Sequence, residues 1–193
     1  MIQDGYGPLA ADYYDEQDLK NLGVKVVGAN VRVAKNSTLV GLSNIEFGSN
    51  VRIDSYTVVI ASRGAMRIGS NVHIEPHVSV VAHYDVHIGD YCTLSHGVRF
   101  FTASADYSGK SLTNAFPSPE FQNPLEGGIV MHSHSIIGGN SVVMPGVTIG
   151  EGSAIGALSF VRHNLDGWHI YAGNPLRVLA QREKTVKKIF PTK

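Results

Sequence analysis

Large aliphatic residues recur along this chain every six positions, and a small or short polar residue usually follows each one. The series opens with Val27-Gly28, Val33-Ala34, Phe47-Gly48 and Ile53-Asp54 and continues through Ile68-Gly69, Ile74-Glu75, Ile88-Gly89 and Leu94-Ser95. It resumes at Met131 and runs through Ile137-Gly138, Val143, Ile149-Gly150, Ile155-Gly156 and Val161. A helix needs a period near 3.6 and a half-buried strand needs strict alternation, so a period of six fits neither. It fits a coil with three short flat sides, each hexad forming one side with its aliphatic pointing inward. A small residue sits where the chain bends, because a bulky Cβ would crowd the corner. Stacked coils satisfy one another's backbone groups and line the interior with aliphatic ladders. The predicted fold is all-β, a left-handed parallel β-helix. An ordinary β-sandwich would show turn signals every 8–12 residues and no sixfold register.

Residues 27, 47, 68 and 88 begin successive coils, at spacings of 20, 21 and 20 instead of 18. The surplus lies at Gly41-Leu42, Arg63-Gly64-Ala65 and Tyr84-Asp85, always after the third hexad, so one edge of the prism carries small bulges. Three segments leave the pattern. Residues 1–26 hold a short amphipathic helix within Tyr14–Gly23, acidic early and stopped by Gly23. Residues 101–129 form a long excursion within the 27–175 helix domain, where Pro117, Pro119 and Pro124 disfavour regular structure. A loop of that length inside a compact repeat is usually functional. Residues 176–193 are expected to be a C-terminal helix capping the prism.

Composition narrows the function. Lys+Arg and Asp+Glu number 16 each, and a neutral chain lacks the basic excess that nucleic acid requires. Cys92 is the single cysteine, which rules out an internal disulfide and fits a reducing compartment. Residues 1–5 lack a basic, then apolar, leader, and no run approaches the ~18 apolar residues of a membrane span. A soluble cytoplasmic protein is expected.

The segment from Ile88-Gly89-Asp90 to Val161 resembles the galactoside and maltose acetyltransferase branch of the hexapeptide-repeat acyltransferases. The likeness is carried by Met144-Pro145-Gly146-Val147-Thr148-Ile149-Gly150, Ile155-Gly156-Ala157-Leu158-Ser159 and Tyr171-Ala172-Gly173-Asn174-Pro175-Leu176-Arg177. Leu19-Lys20-Asn21-Leu22-Gly23 and the stretch from Phe101 to Gly109 are closer to acetyltransferases of bacterial surface-polysaccharide clusters. The resemblance implies a homotrimer with acetyl-CoA in the groove between subunits and the long loop reaching over it. By that likeness, Gly139 and Ala157 let the pantetheine arm approach the backbone. Arg162, His163 and Arg177 match positions that hold the cofactor's phosphates or adenine.

Acyl transfer needs a group to take a proton as the nucleophile attacks the thioester. Sugar acetyltransferases of this branch keep a loop histidine for this, and here that position is Ala105, in Thr102-Ala103-Ser104-Ala105. Either the base lies elsewhere or the acceptor is an amine, which attacks as its free base. His83, on the same edge as the loop, is the leading alternative, with Asp85 placed to orient it. His134 is second and His96, on another edge, third. Asp106 and Asn114, on the loop, can bond acceptor hydroxyls. The His132-Ser133-His134 pair lacks a third metal ligand, so no metal is expected. The reading that follows is an acetyl-CoA-dependent N-acetyltransferase acting on a nucleotide-linked amino sugar in surface-glycan synthesis. The alternatives are a sugar O-acetyltransferase, a carbonic-anhydrase-like metalloprotein and an inactive scaffold.

Overall fold

The computed structural model describes residues 11–114 and 118–192; residues 1–5 and Pro117, which figured in the sequence reading, lie outside them. Three sheets run along the molecule, of nine, six and six strands. Strands within them pair in parallel with the strand one coil away, except for an antiparallel strand at each end of the largest sheet. We name the faces in chain order. The first face begins at Val26–Val27, the second at Val31–Ala34 and the third at Thr38–Val40.

The coil register is the one the period predicts. On the first face Val27 pairs with Phe47, Phe47 with Ile68, Ile68 with Ile88, Ile88 with Met131 and Met131 with Ile149. Every predicted interior aliphatic from Val33 to Val161 is buried, whereas Val27, the first rung, is half-buried. Burying each such side chain contributes about 1.5–3 kcal/mol, so the ladder is the main source of cohesion.

The edges explain the small residues. A Cβ on Gly69 would stand 2.8 Å from the backbone carbon of Gly89 and 2.5 Å from Asp90 Oδ1, so the coils could not close to sheet spacing. The first edge, between the first and second faces, also places one residue per coil in the left-handed region: Asn30, Asn50, Asn71, Tyr91 and His134. Asparagine tolerates that conformation, and the column bonds to itself, Asn30 Nδ2 donating to Asn50 Oδ1 at 3.0 Å and Asn50 to Asn71 at 3.1 Å. The second edge, between the second and third faces, does the same with Tyr56, His77, Gly97, Asn140 and Leu158. The third edge holds the surplus residues and the loop.

The ends are closed differently. At the start, Tyr13–Tyr14 pairs antiparallel with Val33 and Ala34. Helix Glu16–Asn21 follows, capped by Asp15 Oδ1, which accepts from the Gln17 and Asp18 amides at 2.9 Å each. Its buried Leu19 plugs the first coil. The expected C-terminal helix over 176–193 is corrected in extent. Arg177–Gln181 is a strand pairing antiparallel with His169–Ala172, and only Thr185–Ile189 is helical. The last coil leaves a sheet edge to be paired, and strand addition satisfies those backbone groups where a helix would not.

Candidate active site

The loop leaves the third edge at Thr102 and is pinned there. Ala103–Ser104 pairs antiparallel with Leu125–Glu126, and the Gly127 amide donates to the Thr102 carbonyl at 3.0 Å. Thr102 is fully buried. Its hydroxyl donates to the Val81 carbonyl at 2.9 Å and accepts from the His83 and Tyr84 amides at 2.9 and 3.1 Å. Tyr84 Oη donates to Glu126 Oε2 at 2.5 Å, and this bond raises the Tyr84 phenol above its ordinary pKa. Thr102 is thus the hub joining the loop root to the His83 turn, a role that sequence reasoning missed. Its one signal was a hydroxyl residue at the small-residue position of an otherwise apolar run.

Between the loop root and the third face lies an open cavity of about 560 Å³, lined by Phe101, Ala103, Ser104, Ala105, Tyr107, Val142, Met144 and Phe160. Ala105, where the resembling acetyltransferases keep their histidine, therefore opens onto an apolar cavity. Phe160 is shared with a second cavity of about 430 Å³ at the C-terminal end, lined also by Arg162, His163, Asn174 and Pro175. Phe160 thus separates the cavity at the cationic end of the prism from the cavity at the loop.

The other predicted site residues fall into separate groups. Gly139 and Ala157 lie one above the other on the second edge, where the Leu158 amide donates to the Gly139 carbonyl at 2.9 Å. Arg177 is exposed at the start of its strand, outside the lining of the end cavity. Asp106 is held within the loop by the Ser108 amide at 2.7 Å and the Ser108 and Ser111 hydroxyls at 2.9 and 2.8 Å. Those bonds lower its pKa. Asn114 is exposed on the loop.

Two expectations about the base are corrected. Asp85 does not orient His83: its Oδ1 accepts from the Ala65 amide at 2.8 Å and its Oδ2 faces Arg67 at 3.7 Å. His83 is exposed on the third edge. His134 is not brought to the loop. It sits on the first edge, 5% exposed, its ring stacked on Tyr91 at 5.1 Å and tilted against Trp168 at 6.1 Å. Packing between aromatics is what lets a histidine occupy the left-handed corner position, and it shuts the ring away from any ligand. His132 points outward instead, and among the described residues no three His, Cys, Asp or Glu side chains converge to hold a metal ion. Burial pushes the Cys92 thiol up to about 12, which leaves it un-ionised and unreactive.

Residues 128–163 match the bacterial transferase hexapeptide family (six repeats). The chain is 34% identical over 177 residues to an Escherichia coli dTDP-4-amino-4,6-dideoxy-D-glucose acyltransferase, covering 92% of each. It is 28% identical over 140 residues, 62% of this chain and 71% of the other, to a putative colanic acid biosynthesis acetyltransferase of Escherichia coli K12. Among solved structures it superposes with a TM-score of 0.88, at 31% identity and covering 93% of this chain and 95% of the other, on AntD. AntD is an N-acyltransferase from Bacillus cereus, in complex there with dTDP and 3-hydroxybutyryl-CoA. With the coil register, the loop cavity and these likenesses together, the chain belongs to the hexapeptide-repeat acyltransferases.

Proposed function

We propose that this protein transfers the acetyl group of acetyl-CoA to the amino group of a dTDP-linked amino-dideoxyhexose, as a cytoplasmic homotrimer serving surface-glycan synthesis. The observation that carries the amine acceptor is Ala105. At the position where sugar O-acetyltransferases of the resembling branch keep their base, the loop cavity is walled by a methyl group. A hydroxyl must lose its proton as it attacks, whereas an amine above its pKa attacks with a free lone pair and sheds its proton only after the bond has formed, so it needs no base at position 105. The names of the relatives, an amino-sugar acyltransferase and an N-acyltransferase bound to dTDP and an acyl-CoA, support the same acceptor.

In this reading Arg162, His163 and Arg177 hold the phosphates and adenine, Gly139 and Ala157 admit the pantetheine arm, and Asn114 and Asp106 meet the acceptor on the loop side. The chemistry is a balanced acyl transfer. The amine nitrogen bonds to the thioester carbonyl carbon, the carbon–sulfur bond breaks, and the ammonium proton ends on the departing thiolate. A second reading, O-acetylation of a sugar hydroxyl, is favoured by the exposed imidazole of His83 on the loop's own edge.

The test is thiol release from acetyl-CoA with dTDP-4-amino-4,6-dideoxyglucose and its 4-hydroxyl counterpart side by side, from pH 6 to 9. Turnover of the amine alone, climbing with pH as the acceptor deprotonates, is expected. Faster turnover of the hydroxyl sugar would transfer the assignment to the second reading.

A further inference from the structure

Directly below Gly139 on the second edge stands His96, 67% exposed at its side chain, with its Nδ1 against Glu75 Oε2. The same carboxylate oxygen accepts from the His96 backbone amide at 3.2 Å, so Glu75 fixes both the main chain and the ring of this residue. Glu75 is itself mostly covered, its side chain 22% exposed. A neutral imidazole that donates its Nδ1 proton to a carboxylate presents an unprotonated Nε2 outward, which is the arrangement of an oriented general base. Among the described residues, His83 has no such orienting carboxylate.

The position of His96 on the edge gives the pair its meaning. The Asn140 amide donates to the His96 carbonyl at 2.8 Å, and a Cβ on Gly139 would come 3.1 Å from that same oxygen. His96, Gly139 and Ala157 are therefore consecutive rungs of one column, roughly 4.8 Å apart as stacked strands are. An acyl-pantetheine arm that descends past Ala157 and Gly139 would run toward the rung of His96, the next one on that edge.

We infer that His96, oriented by Glu75, is the residue that takes the proton from the acceptor nitrogen during acyl transfer. The inference rests on the acyl-CoA reading of the second edge. Attack of a neutral amine on the thioester gives a tetrahedral adduct carrying an ammonium and an oxyanion. Unless the ammonium is deprotonated, that nitrogen is expelled again in competition with sulfur. His96 Nε2 accepts the proton, the carbon–sulfur bond breaks, and the imidazolium returns the proton to the thiolate as CoA leaves. Glu75 acts as a positioning residue. On the neighbouring rungs of the same edge stand His77 and Asn140, and Arg99 Nη1 donates to the Gly97 carbonyl at 3.2 Å.

With whichever acceptor the wild-type protein turns over, His96→Ala should lower kcat by roughly 10²–10⁴-fold and leave the KM for acetyl-CoA within about twofold. Added imidazole should restore part of the rate. Glu75→Gln, which keeps an acceptor oxygen but removes the charge, should lose about tenfold. Wild-type turnover in His96→Ala, or a loss that imidazole does not relieve and that raises the KM for acetyl-CoA equally, would overturn the assignment. A readout that needs no acceptor keeps it separate from the choice of sugar. Saturating acetyl-CoA should protect His96 from carbethoxylation by diethyl pyrocarbonate, and modification at the unprotected rate would refute its place beside the thioester.

Discussion

The smallest unit that decides behaviour here is a single hydroxyl. Thr102 Oγ1 is the one group bonded at once to Val81, His83 and Tyr84, and so couples the third face to the loop root. Thr102→Val keeps the volume but takes the acceptor from the His83 and Tyr84 amides, while the Val81 carbonyl keeps the Thr102 amide at 3.3 Å. Each buried polar group left unpaired costs about 1–3 kcal/mol, and at ~2–4 °C per kcal/mol for a chain of this size the melting temperature should fall by several degrees. Thr102→Ser, which restores the hydroxyl, should recover most of that loss. Equal melting temperatures for Thr102→Val and the wild type, by calorimetry, would show that the loop root is held elsewhere. The Thr102 side chain is legible in the sequence only as a small residue after Phe101, because its importance comes from amides that the fold brings to it. The same holds for Glu75 and His96, which are 21 positions apart. That spacing is one coil, so the pair was implicit in the repeat, but the period says which residues stack and not which of them bond.

Among the elements, the end caps were the hardest to foresee, since the sixfold period stops where they begin. Helix Glu16–Asn21 was legible from its acids and Gly23, whereas the strands Tyr13–Tyr14 and Arg177–Gln181 were not. They form because the first and last coils expose sheet edges, a condition set by the fold and absent from local propensity. The first strand is fastened by a polar clamp. Asp54 accepts from Tyr13 Oη at 2.9 Å and Arg52 Nε at 2.6 Å, and His73 Nε2 stands 2.7 Å from its other oxygen. Burial raises the Asp54 pKa, but these hydrogen bonds and the Arg52 charge outweigh it and hold the carboxyl below its ordinary value. A carboxyl with a depressed folded pKa contributes stability above the unfolded pKa of about 3.9 and loses it as pH falls through the folded value. The clamp should therefore be intact at neutral pH and fail below about pH 4. Thermal melts across pH 2.5–7 should show the wild type losing stability in that acid range, with a shallower acid fall in Asp54→Asn. Parallel curves for the two proteins would remove Asp54 from the acid response.

At the scale of the whole molecule, the coil register was legible in full because each rung is dictated by its own hexad, and the ladder from Val33 to Val161 is buried as predicted. What the repeat does not encode is how prisms meet. Within one chain, Gly139 and Ala157 lie on the second edge and Arg162 and His163 beyond the third face, so a ligand touching all four must cross the third face at the half-buried Phe160. Leu158, beside Ala157, sharpens the point. It is 72% exposed and sits at a φ of 59°, in the left-handed region that disfavours a branched side chain. An isolated subunit would bear both the strained backbone and the bare leucine, whereas in the proposed trimer an adjoining subunit would cover the side chain and offset the strain. Leu158→Asp tests this without harming the fold, because aspartate adopts the left-handed conformation more readily than leucine. The wild type should scatter light as three chains, the variant as one, and acetyl-CoA binding by calorimetry should weaken in step with dissociation. A variant that remained trimeric would show that Leu158 lies outside the interface. A wild type with the mass of a single chain would remove the subunit groove itself, and with it the reason for placing the pantetheine arm against Gly139 and Ala157.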